Sequence, residues 1–331
     1  MLTYLEAIVV GAFQGVTELF PVSSLGHSVL IPALVGGRWA QDLNVSAPES
    51  PYLAFIVGLH VATAAALILF FWRDWVRIIG GLITSIRYRR ISTPAERLVW
   101  LIIIATIPVG IAGLALEHVF RTTLGLPIPA AAFLIANGVV LYTGERLRRR
   151  AQAIAPEPAL VGAAGGTAGG TAGGTAGGTA GGTEAAGSGR SETDIAADEA
   201  ADDRLARLTI GRGTLIGSAQ ILALLPGISR SGITMVAGLL RGLSHEDAAR
   251  FSFLLATPVI LAAGMLKIPD LFGPLGAGIH GQVLAGSVAS FVSAYLAVRY
   301  LTRYFRTRTL TPFAIYCVLV GAGSLLWLTL R

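Results

Sequence analysis

The chain has 331 residues, 53% of them hydrophobic and 13% charged, with a mean hydropathy of +0.68. Soluble domains carry about 25% charged residues, so this composition excludes a soluble enzyme, a nucleic-acid reader and a disordered chain; continuous rather than alternating apolar runs exclude a transmembrane barrel. The formal charge of +6 sums two unlike parts: residues 151–203 hold eight acids and one base (−7), and the rest holds 24 bases and 11 acids (+13).

In chain order, the first residues lack a basic n-region and a small-residue cleavage site, so the N-terminus is expected to be retained. The first apolar stretch is interrupted at Pro21-Val22-Ser23-Ser24-Leu25-Gly26. A proline followed by Ser and Gly ends one helix and caps the next, and irregular backbone at membrane depth survives only where protein or a water-filled cavity surrounds it. A re-entrant helix-turn-helix hairpin is expected here, with Ser24 capping its second arm. Spans follow at about 51–72, 97–116 and, shorter, 128–143. Between the first two, residues 73–90 place five arginines around Trp72, Trp75, Ile78, Ile79 and Leu82, as an amphipathic interfacial helix would.

Residues 165–183 repeat Gly-Gly-Thr-Ala with a period of four, and an acidic Ala/Ser-rich stretch follows. Such composition buries no core, so 151–205 reads as a flexible cytoplasmic linker between membrane halves 1–150 and 206–331. The second half repeats the pattern, with a break at Pro226-Gly227-Ile228-Ser229-Arg230-Ser231-Gly232 and spans at 246–266, 282–300 and 311–330. Cys317, the only cysteine, lies in the last span and reads as packing.

With one hairpin and three spans per half, 20 of the 25 basic residues fall on one side and four (Arg38, Arg121, Lys267, Arg331) on the other. The arginine-rich side is expected to be cytoplasmic. Three spans per half is an odd number, so the halves are inverted relative to each other. The fold expected is an all-α polytopic inverted repeat whose two hairpins meet near mid-membrane, where such proteins bind their ligands. Arg230 is the one basic residue on neither face.

Gln14 and Glu18 are four apart on one helix face, and Ser24 and His27 are three apart on the next arm. Ionisable groups inside a membrane are costly and functional by default, although a Glu-His pair that only pins the hairpin is the bland alternative. The second break offers Gln220, Ser229, Arg230, Ser231 and Thr234. A guanidinium, turn N–H groups and the positive end of a helix suit a phosphate; the bland alternative is Arg230 paired with Glu18 across the hairpins. His60 lies inside a span and either lines the pocket or simply packs.

The run Gln14-Gly-Val-Thr-Glu18-Leu-Phe-Pro-Val-Ser-Ser-Leu-Gly-His27, with Pro226-Gly-Ile-Ser-Arg-Ser-Gly-Ile-Thr234, closely resembles the signatures of the bacitracin-resistance type undecaprenyl-diphosphatases. The resemblance covers nearly the whole chain outside 151–205. It implies a membrane phosphatase that hydrolyses undecaprenyl diphosphate to the monophosphate and recycles the lipid carrier of cell-wall synthesis. It assigns catalysis to Glu18, Ser24, His27 and Arg230 and substrate binding to Gln14, Ser23, Ser229, Ser231 and Thr234. It also implies a divalent cation, Mg²⁺ or Ca²⁺, with Glu18 as a candidate ligand; Gln14 stands where the family has Glu or Gln. The partners it implies are the polyprenyl diphosphate and the bilayer, with no nucleic acid and with a homodimer left open. The site is expected to open to the outer face.

Two mechanisms stay open: attack by Ser24 with His27 as base and Glu18 orienting the imidazole, or water activated by His27. A phosphorylated-lipid transporter or flippase is the alternative function, since the architecture alone binds without hydrolysing. An ion channel fits the fold but not the Glu-His pair beside an arginine.

Overall fold

A computed structural model of the chain describes residues 2–43, 51–119, 123–154, 200–273 and 277–330. Among the described residues it is all-helical, without strands. The elements are α1 (Tyr4–Leu19), α2 (Ser24–Val35), a short α3 (Gly37–Asp42), α4 (Pro51–Phe70), α5 (Trp72–Tyr88), α6 (Pro94–Val119) and α7 (Pro127–Ile154). After the linker come α8 (Ile210–Ser218), a 3-10 continuation (Ala219–Leu224), α9 (Arg230–Leu240), α10 (His245–Phe272), α11 (His280–Tyr304) and α12 (Thr311–Leu330).

Five of these, α6, α7, α10, α11 and α12, are long and apolar enough to cross a membrane, and the bent pair α4–α5 makes a sixth candidate. All six expected spans therefore fall on helices. α5 leaves α4 at 86° after Phe71. It buries Asp74, Ile78, Gly81 and Ser85 and exposes Trp72, Val76, Ile79, Ile83 and Ile86. Apolar groups turned outward at helical spacing, flanked by arginines, are what an interfacial helix presents to lipid.

The helix starts carry their own signals. Thr3 and Glu6 form a reciprocal capping box on α1. Glu96 accepts from the Ser92 and Thr93 amides at 2.6 and 3.0 Å ahead of α6, and Ser244 accepts from the Asp247 amide at 2.9 Å on α10. Two alike caps open the arms that follow the breaks. Ser23 accepts from Gly26 N at 3.2 Å, and Ser229 accepts from Gly232 N at 3.2 Å. The cap of α2 is thus Ser23 and not Ser24. Aligned on their caps, the breaks pair Ser24 with Arg230, each the first helical residue.

α1 lies along α11, with Gly11 against Gly286 and Gly15 against Ser290 so closely that a Cβ on either glycine has no room. α8 lies along α6, and α9 packs between α7 and α10. The two breaks meet at Gly26 and Gly227. A Cβ on Gly26 would sit 2.9 Å from Gly227 Cα, and Gly227 itself has φ +118°. Gly227 N also donates to Ser23 Oγ at 3.2 Å.

Residues 200–206 are helical and packed, with Ala201 and Leu205 buried. Asp202 pairs with Arg77 of α5 and with Arg250 of α10, the latter at 2.7 Å, and Arg204 chelates Asp247 at 2.7 Å. Within the described end of the linker, Asp202 is therefore a buried counter-ion to two arginines rather than part of a solvated tail. Helix α7 runs to Ile154, and packed chain resumes at residue 200, both within the expected linker 151–205. The segment 155–199, including the Gly-Gly-Thr-Ala repeat, lies outside the described residues.

Candidate active site

Glu18, on the last turn of α1, is 8% exposed and uses both oxygens. Oε1 accepts from Arg230 Nη2 at 2.5 Å, and Oε2 accepts from Ser24 Oγ and, at 3.0 Å, from Gln14 Nε2. Helical spacing brings Gln14 to Glu18, the Pro21 turn folds Ser24 back over them, and α9 delivers Arg230. Four of the expected residues thus converge. The Glu18–Arg230 pair anticipated as the bland alternative exists, but it engages the guanidinium only in part. Nη1 donates to Ala256 O at 3.1 Å, so two of the five N–H donors an arginine offers are used.

His27 stands apart from this cluster. Its Nδ1 donates to Ser23 O at 2.7 Å, and its Nε2 accepts from the Tyr316 hydroxyl at 2.9 Å. Tyr316 also stacks on the imidazole at 5.8 Å. The expected orientation of His27 by Glu18 is not what the structure has: Ser24 is hydrogen-bonded to Glu18, and His27 fastens the turn to α12.

The imidazole beside Glu18 is His60. Its Nδ1 lies 2.9 Å from Ile56 O, and a carbonyl only accepts, so Nδ1 carries the proton. Nε2 then accepts from Gln14 Nε2 at 3.2 Å and lies 3.5 Å from Glu18 Oε2. One Gln14 amide thus bridges imidazole and carboxylate. Sequence reasoning left His60 between lining and packing. The signal that could have settled it is the cost of an ionisable group in the middle of a 20-residue apolar helix, the same argument that singled out Glu18.

The remaining expected hydroxyls hold the breaks together. Ser231 donates to Phe20 O at 3.2 Å, the Ser229 and Ser231 hydroxyls are 3.0 Å apart, and Thr234 donates to Arg230 O at 2.7 Å. Gln220 is buried and donates to Gly217 O at 3.3 Å. Asn137 of α7, unremarked in the sequence, joins the two turns: Nδ2 donates to Pro21 O at 3.1 Å and Oδ1 accepts from Ser229 N at 3.0 Å. A lone amide within a short apolar span was its only trace.

A cavity of about 270 Å³ opens beside the cluster. Gln14, Ser24 and His27 line its polar end; Phe13, Ile31, Val35 and Trp39 are among its apolar walls. Such a space suits a ligand with a polar head and a hydrocarbon tail. It does not suit a resident divalent ion. Among the described residues no three His, Cys, Asp or Glu side chains gather at one point; Glu18 is saturated by Arg230, Ser24 and Gln14, and the second carboxylate a cation would want is the amide of Gln14.

The family described as "Bacitracin resistance protein BacA" matches residues 7–178 and 182–323. The chain belongs to the BacA family. An undecaprenyl-diphosphatase of Mycolicibacterium paratuberculosis is 70% identical over 330 residues, covering 100% of this chain and 99% of that protein. One from Mycobacterium avium is 69% identical with the same coverage. A more distant one, from Granulibacter bethesdensis, is 38% identical across 98% of this chain and 96% of its own. With its apolar helices, this BacA-family chain is a multi-pass membrane protein.

Proposed function

We propose that the chain is an undecaprenyl-diphosphatase, which hydrolyses the diphosphate lipid to its monophosphate and phosphate, returns the carrier to cell-wall synthesis and so confers bacitracin resistance. The observation that carries this reading is Ser24 Oγ, which lines the polar end of a cavity with apolar walls, donating to a Glu18 carboxylate whose other oxygen rests on Arg230 behind it. A carrier needs the arginine and the cavity; a hydroxyl bonded to a carboxylate equips the site for chemistry, which favours the phosphatase over the flippase.

In the proposed reaction the free N–H donors of Arg230 and the start of α9 take the charge that builds on the terminal phosphoryl group, where most phosphoryl-transfer catalysis lies. Ser24 Oγ bonds to the terminal phosphorus, its proton passes to Glu18, and the bridging oxygen leaves with the lipid monophosphate. Water then releases phosphate from the serine. The second route, water attacking directly while Ser24 only hydrogen-bonds, differs in leaving no phosphoserine. His60, through Gln14, holds Glu18 in place. The divalent cation is proposed to arrive bound to the diphosphate rather than to wait in the protein.

The finer architecture belongs to the same proposal. α1 lying along α11 and α8 along α6 support two re-entrant hairpins entering from opposite faces of an inverted repeat, with halves at 1–150 and 206–331. The 20-to-4 charge split supports a cytoplasmic basic side and linker. The cavity between α1 and α2 then opens outward. A homodimer is compatible with this scheme and is not required by it.

The test is phosphate release from undecaprenyl diphosphate by the purified full chain in detergent. Arg230→Ala and Glu18→Ala should each lower kcat at least about 100-fold, as loss of a main charge-stabilising contact does elsewhere. Denaturant quenching of wild type should trap phosphoserine at Ser24. Undiminished release in both variants would overturn the site, and full activity in Ser24→Ala would remove the covalent route.

A further inference from the structure

We propose that the basic end of α11 and the turn into α12 bind the phosphate headgroup of an anionic phospholipid, with an acyl chain lying along α11. An open groove of about 500 Å³ lies here, and Arg299, Arg303 and Arg308 line it together with Tyr300 and Tyr304. Among the described residues none of the three arginines pairs with an acid, whereas the neighbouring Arg306 meets Glu246 at 3.3 Å. Arg299 and Arg303 are one turn apart on one helix face, where like charges oppose each other without an anion between them. Arg308 is brought back to them by the turn, its amide donating to Tyr304 O at 3.0 Å.

The groove has a firm floor. Tyr304 donates from its hydroxyl to Thr309 O at 3.3 Å and sets its ring edge-on to Phe313 at 5.4 Å. Tyr300 stacks flat on Phe20 at 6.1 Å, one residue from the Pro21 break. Exposed guanidinium forks beside such a floor match a phosphodiester.

A lipid rather than a free anion is indicated by what leads to the groove. Leu284, Val288, Val292, Leu296 and Tyr300 recur every four residues along α11, each at least 50% exposed. The stripe runs the length of the span and ends among the arginines, so one molecule with a phosphate head and a hydrocarbon tail satisfies both features. The site lies at the same end as the other arginine-rich loops, where anionic headgroups are drawn to basic clusters. This inference does not depend on the phosphatase reading.

Native mass spectrometry of the full chain in detergent tests it, with titration by phosphatidylglycerol, phosphatidylcholine, undecaprenyl phosphate and inorganic phosphate. Wild type should hold phosphatidylglycerol at least tenfold more tightly than phosphatidylcholine. The preference should fall at least fivefold in the triple variant Arg299→Gln, Arg303→Gln, Arg308→Gln, whose melting temperature in detergent should match wild type. If the triple variant does not purify, Arg303→Gln alone should still weaken phosphatidylglycerol at least twofold. Equal binding of the two phospholipids, an undiminished preference in the variants, a loss of undecaprenyl phosphate binding in the triple variant as large as that of phosphatidylglycerol, or displacement by millimolar phosphate alone would each overturn the assignment. So would Val292→Cys chains cross-linking into a dimer at full yield, which would put a second copy on this face.

Discussion

Glu18 meets four groups from four helices, and their division of labour separates residues that act on substrate from those that hold the actors. His60 reaches the carboxylate through Gln14, while His27 is tied to Ser23 O and Tyr316. His60→Ala should therefore lower kcat roughly 10- to 100-fold, the equivalent of about 1.5–3 kcal/mol for a hydrogen bond serving a charged group, with the melting temperature little changed. His27→Ala should lower the melting temperature as well, because it unfastens the turn from α12. Paired kinetics and thermal unfolding would separate the two; equal melting losses would refute the distinction. Saturation of Glu18 has a counterpart for metals: calorimetry with Mg²⁺ or Ca²⁺ and no substrate should find no site tighter than about 1 mM, weaker than a built oxygen cage gives.

At the scale of elements, the two breaks work as one joint. Gly227 holds φ +118°, and a Cβ there would lie 2.5 Å from Ala130 O and 2.7 Å from Leu134 N. Gly227→Ala should cost at least about 1–3 kcal/mol for the backbone conformation alone, read as a lower melting temperature together with lost activity, because the added Cβ pushes α7 away and strains the Gly227 N–Ser23 Oγ bond that joins the two turns. The breaks were legible in sequence because proline, serine and glycine punctuate helices through local chemistry. Local chemistry also placed α5, α6 and α10 close to their observed starts. It misassigned the α2 cap by one residue, since Ser23 and Ser24 offer the same hydroxyl and only the tertiary path selects between them. The partner of Glu18 was equally beyond local reach: His27 is near in sequence, His60 is near in space, and periodicity says nothing about which helices cross.

For the whole molecule, composition and charge were informative because a bilayer imposes its own accounting on every residue. The spans and the 20-to-4 asymmetry follow from that accounting, whereas the docking of residues 200–206 does not, because acids in a low-complexity stretch look solvated until their arginines are known. The orientation is open to direct measurement. In a Cys317→Ser background, Thr307→Cys should be labelled by a membrane-impermeant thiol reagent only after cells are opened, and Gly278→Cys in intact cells; the reverse pattern would invert the topology. Replacing the repeat at 165–183 with a Gly/Ser spacer should leave phosphate release within twofold of wild type, a change too small to notice unless the segment has a role of its own.

The charge pair at the centre joins residues 212 positions apart, and that separation has a consequence for biosynthesis. The first hairpin enters the membrane while Arg230 is still unmade, so Glu18 passes through the early stages of insertion without its counter-ion. Neither half alone can complete the pair, so each half on its own is left with an uncompensated buried charge. A gene split within the linker should yield two fragments that are degraded when expressed singly and accumulate when expressed together.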